Sequence, residues 1–198
     1  CVYTVKAQHT QCKNNGDPQK NSEKGVYKMN AVLEVKNVSK YLEREVWNKN
    51  QRSIQGFSLK NFDFTIEPGY IVGMIGCNGS GKTTLIHTIL GVFQPDAGEI
   101  IVDGHDRKQE AYEAKQEIAF VTDEMIFPIG MTAVDIGKCF GPCYRAFDYK
   151  KYISLCERFQ IPLKKIMKKL STGMKIKVQL AFAMARDAKL YVFDEPSA

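Results

Sequence analysis

The octamer Gly76-Cys77-Asn78-Gly79-Ser80-Gly81-Lys82-Thr83 constrains this chain more than any other stretch. It reads G-x-x-x-x-G-K-T. The mostly apolar residues Tyr70 to Ile75 before it read as a buried strand, and Thr84 to Leu90 after it as a helix. Strand, glycine loop and helix form the setting in which this spacing binds phosphate. Glycines let successive backbone N–H groups turn inward around phosphate oxygens, and the start of the helix adds its positive dipole end. Lys82 can reach the outer phosphates of a nucleotide, the Thr83 hydroxyl can ligate Mg²⁺, and Thr84 is a further nucleotide-binding candidate at the helix start. The bland alternative is a glycine turn that binds nothing.

A second motif weighs against that alternative. Lys189 to Phe193 is an apolar strand that runs into Asp194-Glu195-Pro196. In a phosphate-loop nucleotidase an aspartate at such a strand end holds Mg²⁺, and the neighbouring glutamate polarises the attacking water. Asp194 and Glu195 are the candidates for those roles. On its own the pair would read as an ordinary acidic strand end. Downstream of a phosphate loop it reads as the other half of the site.

Composition narrows the class. A chain of 198 residues with 44% hydrophobic content can bury one sizeable core. No apolar run approaches the roughly 18 residues of a membrane span, and no signal peptide opens the chain. The expected location is therefore the cytoplasm. Six cysteines, one of them inside the phosphate loop, read as thiols of a reducing compartment rather than a disulfide scaffold. Cys139 and Cys143 lack a second ligand pair for zinc. The net charge of +6 is shared between a lysine-rich leader and a mildly basic body, so nucleic acid is not expected as a partner.

Residues 1–28 are polar and aperiodic, and read as a disordered tail or as read-through of an upstream region. Met29 stands just before the first convincing strand. Glu23-Lys24-Gly25-Val26 can be encoded with a ribosome-binding sequence, which makes Met29 the expected start. Ala31 to Val38 and Phe57 to Ile66 alternate as strands of a half-buried sheet, and Tyr41 to Gln55 between them reads as a loop or hairpin tip. Glu99 to Val102 and Ile118 to Val121 read as strands, and Ala111 to Glu117 as a short helix. Asp123-Glu124 follows directly on a strand end, where ligands often sit in α/β folds. Residues from about 125 to 170 are mainly helical, with Thr132 and Asp148 as caps. The lysines at 164, 165, 168 and 169 read more readily as a solvated face than as a phosphate site.

Leu170-Ser171-Thr172-Gly173-Met174 then precedes a helix over Lys175 to Arg186. With L-Y-V-F-D-E-P-S-A behind it, this order of phosphate loop, signature and D-E-P resembles the ATP-binding subunits of ABC transporters over about Met29 to Ala198. The run L-S-T-G-M-K-I-K-V-Q-L-A-F-A-M-A is most similar to the bacterial antibiotic-export and self-resistance branch. The resemblance implies an α/β phosphate-loop fold with a mainly parallel core sheet, a small antiparallel β part and a helical subdomain. It implies ATP and Mg²⁺ as cofactors. It also implies a second ATP-binding domain packed head to tail, so that Ser171, Thr172, Gly173 and Met174 face the nucleotide held by the other copy. A transmembrane permease would complete the assembly and place the subunit on the inner face of the membrane.

The departures are specific. Thr172 and Met174 replace residues of the usual L-S-G-G-Q. Asp123 aligns with a glutamine that usually senses Mg²⁺ and the membrane partner. Tyr41, Trp47 and Phe57 compete for the aromatic that stacks on adenine, with Tyr41 favoured. The family carries a further aspartate loop and a switch histidine, whereas the histidines here are His9, His87 and His105. The expectation is thus a cassette incomplete at its C-terminal end, poorly active in isolation. The rivals are a soluble ABC-type ATPase without a membrane partner, a non-catalytic nucleotide-binding module, and an unrelated phosphate-loop kinase, which would leave the signature unexplained.

Overall fold

Among the described residues, two four-stranded sheets and five α-helices form the fold. The computed structural model describes residues 2–7, 31–48, 51–77, 79–124 and 126–194, and only the backbone at 2–7, 44–48 and 51–55. The first sheet has the order β3-β2-β5-β6 and is antiparallel throughout. Its long hairpin pairs β2 (Leu33–Asn48) with β3 (Gln51–Ile66). Alternation explains the pairing, because Leu33, Val35, Leu59 and Ile66 all point into the core. The register shifts between Val35 and Lys40, where Asn37 takes φ 50° and its N–H donates to Asp63 Oδ1 at 2.7 Å. Asparagine tolerates that left-handed backbone better than most residues. Residues 41–48 and 51–55, expected as a loop or hairpin tip, continue the two strands, so the tip itself falls at residues outside the described set. β5 (Ala97–Val102) and β6 (His105–Asp106) complete this sheet.

The second sheet has the order β4-β1-β8-β7. Its members are β1 (Val2–Ala7), β4 (Ile71–Ile75), β7 (Ile118–Thr122) and β8 (Leu190–Asp194). β7 and β8 are parallel, and β1 runs antiparallel to both β4 and β8. β4, β8 and β7 therefore share one direction, with a reversed strand between the first two. Of the expected mainly parallel core sheet, the structure has three strands of common direction and one parallel pair, with β1 reversed between β4 and β8. Val2–Ala7 also lies within the leader that the sequence assigned no element. The run V-Y-T-V has strong β propensity, and pairing on both edges supplies what a polar neighbourhood concealed.

Helix α1 (Lys82–Leu90) shares one apolar core with both sheets. Leu85, Ile86 and Ile89 meet Leu33, Val35, Ile100 and Val102 of the first sheet and Leu190 and Val192 of β8. The α1 C-terminus is closed by Gly91 at φ 73° and by the buried Arg107, whose guanidinium donates to the Ile89 and Leu90 carbonyls at 3.0 and 2.7 Å. α2 (Ala111–Gln116) leads into β7.

The helical part holds α3 (Ala133–Phe140) and α4 (Tyr149–Arg158). Both expected caps are present. Thr132 and Asp135 form a reciprocal capping box, and Asp148 accepts from Lys151 N–H. Helix α5 (Thr172–Met184) joins the two parts, because it is buried on two sides. Ile176 and Ala183 pack on Ala119, Val121 and Tyr191 of the β7–β8 pair. Val178, Ala181 and Phe182 enter the aromatic core around Tyr152 and Phe127. A helix buried on two sides carries little amphipathic signal. The helix begins at Thr172, three residues before the expected Lys175.

Candidate functional site

The site is built at one end of the second sheet. Tyr3 of β1 pairs with Met74 of β4 on one side and with Asp194 of β8 on the other, and Asp194 pairs with Thr122 of β7. Three strands of common direction thus end level with one another. The phosphate loop leaves β4 at this end, Asp194 closes β8 there, and Asp123 follows β7 there. With one strand between them, β4 and β8 lie roughly 10 Å apart. The loop and the acidic strand end thus lie at the same end of the sheet, with β1 between their strands.

Within the loop, Ser80 N–H donates to the Cys77 carbonyl at 3.1 Å, which folds the chain back toward α1. Gly79 takes φ 81° and Gly81 takes φ 95°, values that L side chains rarely adopt. Gly81 also lies against the Phe57 ring, where an added Cβ would collide. Gly76 abuts Ser80 in the same way. Lys82 begins α1, and its ammonium donates to the Gly76 carbonyl at 2.7 Å, the Cys77 carbonyl at 2.9 Å and Ser80 Oγ at 3.3 Å. These contacts hold the charge in the concavity of the loop, over the N-terminal end of α1. Thr83 is exposed and Thr84 half-buried on the first turn, where the Thr84 carbonyl accepts from the Thr88 hydroxyl at 2.6 Å. Cys77 is an exposed free thiol. Asn78 lies outside the described residues.

Opposite the loop, Asp194 is half-buried and Asp123 exposed. The Thr122 hydroxyl donates to Asp123 Oδ1 at 3.4 Å and accepts from Glu124 N–H at 3.3 Å, which shapes the turn. Glu195 falls outside the described residues. Among the described residues, no group of three His, Cys, Asp or Glu side chains could hold a metal unaided. One threonine hydroxyl and one or two carboxylates are hard oxygen donors that suit Mg²⁺, which usually completes its shell with phosphate oxygens and water. The residues present therefore fit a magnesium nucleotide.

Ser171 caps α5 by accepting from Met174 N–H at 3.3 Å. Ser171 and Thr172 are exposed, while Gly173 and Met174 are half-buried on the first turn. The signature thus sits at the positive end of a 13-residue helix. Among the adenine-stacking candidates, Tyr41 is 53% exposed and has its N–H held by Asp96 at 2.6 Å. Phe57 instead packs into the core beside Gly81. The Trp47 side chain lies outside the described residues. Cys139 and Cys143 are exposed free thiols, and the four lysines at 164, 165, 168 and 169 are all exposed.

One residue here escaped the sequence reading. Gln179 of α5 is only 1% exposed. Its Oε1 accepts from Thr122 N–H at 3.2 Å, and its Nε2 donates to the Glu124 carbonyl at 2.7 Å. The available signal was a lone amide in the otherwise apolar run V-Q-L-A-F-A.

Comparison with known proteins agrees with this geometry. A family model described as ABC transporter matches residues 59–198. The chain is 34% identical over 139 residues to the ABC transporter ATP-binding protein YtrB of Bacillus subtilis, covering 70% of this chain and 47% of that protein. It is 28% identical over 158 residues to the SkfA peptide export ATP-binding protein SkfE of the same organism, covering 77% and 65%. It is 32% identical over 152 residues to the ribose import ATP-binding protein RbsA of Lacticaseibacillus paracasei, covering 71% and 30%. The chain thus spans less than two thirds of the length of each. A solved ATP-binding subunit of an ABC transporter superimposes with a TM-score of 0.64 at 22% identity, over 83% of this chain and 66% of that one.

Proposed function

The chain belongs to the ABC transporter family, and from that premise we propose that it is an ATP-binding and ATP-hydrolysing subunit that powers export through a transmembrane permease. The observation that carries the reading is the convergence at one sheet end. A lysine-centred glycine loop, the strand-end carboxylate of Asp194 and the Asp123 turn all lie at the same end of the second sheet.

Each residue has a role in this reading. The backbone N–H groups of residues 76–81 and the start of α1 receive the phosphates. Lys82 exchanges its carbonyl partners for phosphate oxygens. Thr83 and Asp194 would hold Mg²⁺, with Asp123 as a further oxygen donor, and the ion would supply positive charge beside the outer phosphates. Glu195 orients the attacking water and takes its proton. Tyr41 stacks on the adenine. Ser171 to Met174 meet the nucleotide of a second ATP-binding domain, to which the Ser171 hydroxyl and the positive end of α5 are well suited.

No helix among the described residues is long and apolar enough to cross a membrane. In this reading the subunit docks on the cytoplasmic side of a separate permease. Export rather than import is favoured by the resemblance of the L-S-T-G-M run to the antibiotic-export branch. The deciding experiment purifies the full-length protein with and without its membrane partner. Saturable ATP binding that needs Lys82, and turnover that rises with the partner, would support the reading. An absence of saturable ATP binding would sink it.

A further inference from the structure

We propose that Gln179 is a positioning residue that ties the signature helix to the Asp123 turn, so that movement of one is transmitted to the other. The proposal rests on the functional reading above for the roles of Asp123 and α5. It goes beyond that reading in assigning Gln179 a task.

The geometry is specific. The primary amide straddles Asp123, accepting from the backbone N–H one residue before it and donating to the carbonyl one residue after it. Both lengths lie within or close to ordinary hydrogen-bond range. The N–H needs an acceptor and the carbonyl needs a donor, so the amide has one orientation that satisfies both. The side chain is almost fully excluded from water, so its amide depends on these two backbone partners. Met has the length but neither bond. Glu can accept from Thr122 but cannot donate to the Glu124 carbonyl when ionised.

The placement gives the clamp its meaning. Thr122 pairs with Asp194 across the parallel ladder, so the clamped turn holds Asp123 beside the strand end that carries Asp194. Gln179 stands eight residues along α5 from Ser171, about 12 Å along the helix axis. Between them α5 is a continuous helix with Ile176 and Val178 buried on its two sides. A rotation of α5 as its N-terminal end meets a second domain therefore drags the Asp123 turn relative to Asp194. The signature and the metal side of the site become one mechanical unit.

The test compares wild type, Gln179→Met and Gln179→Glu in the full-length protein with its membrane partner. Three quantities are measured: the affinity for a fluorescent ATP analogue in EDTA, the affinity for Mn²⁺ with bound ADP by electron paramagnetic resonance, and the Mg²⁺ concentration at half-maximal turnover. Outer-sphere partners of metal sites typically change metal affinity by 10- to 100-fold. Because Gln179 acts through the backbone of the turn, the expected loss of Mn²⁺ affinity in Gln179→Met is about 10-fold, the low end of that range. Half-maximal Mg²⁺ should rise in step, with affinity in EDTA unchanged, and Gln179→Glu should fall between Met and wild type. If Mn²⁺ affinity and the Mg²⁺ midpoint match wild type in both variants, the clamp has no positioning role and the inference is overturned. Should Gln179→Met fail to fold, Gln179→Glu alone decides by the same two readouts. A wild-type protein that binds no ATP analogue would overturn the functional reading and the inference together, an outcome distinct from variants that bind ATP normally and respond normally to metal.

Discussion

Strands β4 and β8 finish at the same end of the second sheet in opposite surroundings. β8 is buried on both faces, with Leu190 and Val192 in the core around α1 and Tyr191 packed under α5. β4 is covered on one face only. Val72 and Met74 pack against the α1 core, whereas Ile71 is 63% exposed and Ile75 is 86% exposed on the other side. The acidic half of the site is therefore locked into the densest part of the fold. The phosphate loop hangs from a strand that half faces solvent, and its shape depends more on its own hydrogen bonds and left-handed glycines. Damage to the β8 side should appear in stability, and damage to the β4 side in chemistry.

The largest expected effect lies on the loop. Lys82→Ala removes the one cation held inside the phosphate cradle by the Gly76 and Cys77 carbonyls. Loss of a single preorganised donor to developing charge typically costs about 100- to 1000-fold in turnover, and a fall of that size is expected in a steady-state ATPase assay. The unfolding midpoint should stay close to wild type, since the ammonium is not part of the apolar core. A variant that unfolds readily would show that the lysine's contacts hold the loop together.

On the β8 side the order reverses. Leu190→Ala deletes a side chain with 0% exposure from the centre of the α1 core. Large-to-small changes at such sites cost about 2–5 kcal/mol, measured by urea unfolding. Among molecules that remain folded, affinity for a nucleotide analogue in EDTA should be near wild type. A stability loss under about 1 kcal/mol would mean that the space collapses easily and that β8 is not the rigid member of the pair.

These two strands also show what a sequence reveals. The strand, glycine loop and helix around residues 71–90 and the strand that ends at Asp194 were legible because such motifs demand particular residue types at fixed spacing. The caps at Thr132 and Asp148 were legible because local side chain to backbone bonding is written within four residues. Three features were not. The pairing of Val2–Ala7 with β4 and β8 joins residues about 70 and 190 positions apart, and nothing local announces it. The extension of β2 to Asn48 and of β3 back to Gln51 reads like a loop because its residues are polar and carry charges of both signs. Gln179 gave no sign of its partners, because its contacts are to backbone groups more than 50 residues away. Backbone partners leave no mark on residue identity.

A smaller effect should appear in titration at the start of the buried β7–β8 pair. The Glu117 carbonyl accepts from Lys189 N–H and Leu190 N–H, which places its side chain where these strands begin. Burial, followed by the charge of Asp103, pushes the Glu117 carboxyl above its ordinary value of 4.5, with Lys189, His105 and Arg186 opposing. A carboxyl raised in the folded state binds its proton more tightly there than in the unfolded chain. Its contribution is therefore favourable below pH 4.5 and is lost as pH rises through the raised value. Glu117→Gln should raise the Tm at pH 7 by about 1–2 °C, and the gain should shrink below the ordinary carboxyl value. A gain equal at pH 4 and pH 7 would show that burial of the carboxylate is not its source.

The smallest effect belongs to the bare face of β4, and it tests the comparison most directly. Ile75→Thr keeps a β-branched residue suited to an extended strand and changes only the polarity of an exposed side chain. An exposed substitution of this kind should alter stability by no more than about 0.5 kcal/mol, against the several expected at Leu190. The backbone pairing of Ile75 with Val2 is untouched by the change, so the strand itself should persist. Urea unfolding of the full-length protein, alone and with its membrane partner, measures the difference. A loss above about 1 kcal/mol would mean that Ile75 is buried in the working protein, since only removal of apolar area from water supplies a penalty of that size. The contrast between the two strands would then vanish, and the phosphate loop would rest on a support as firm as the one beneath Asp194.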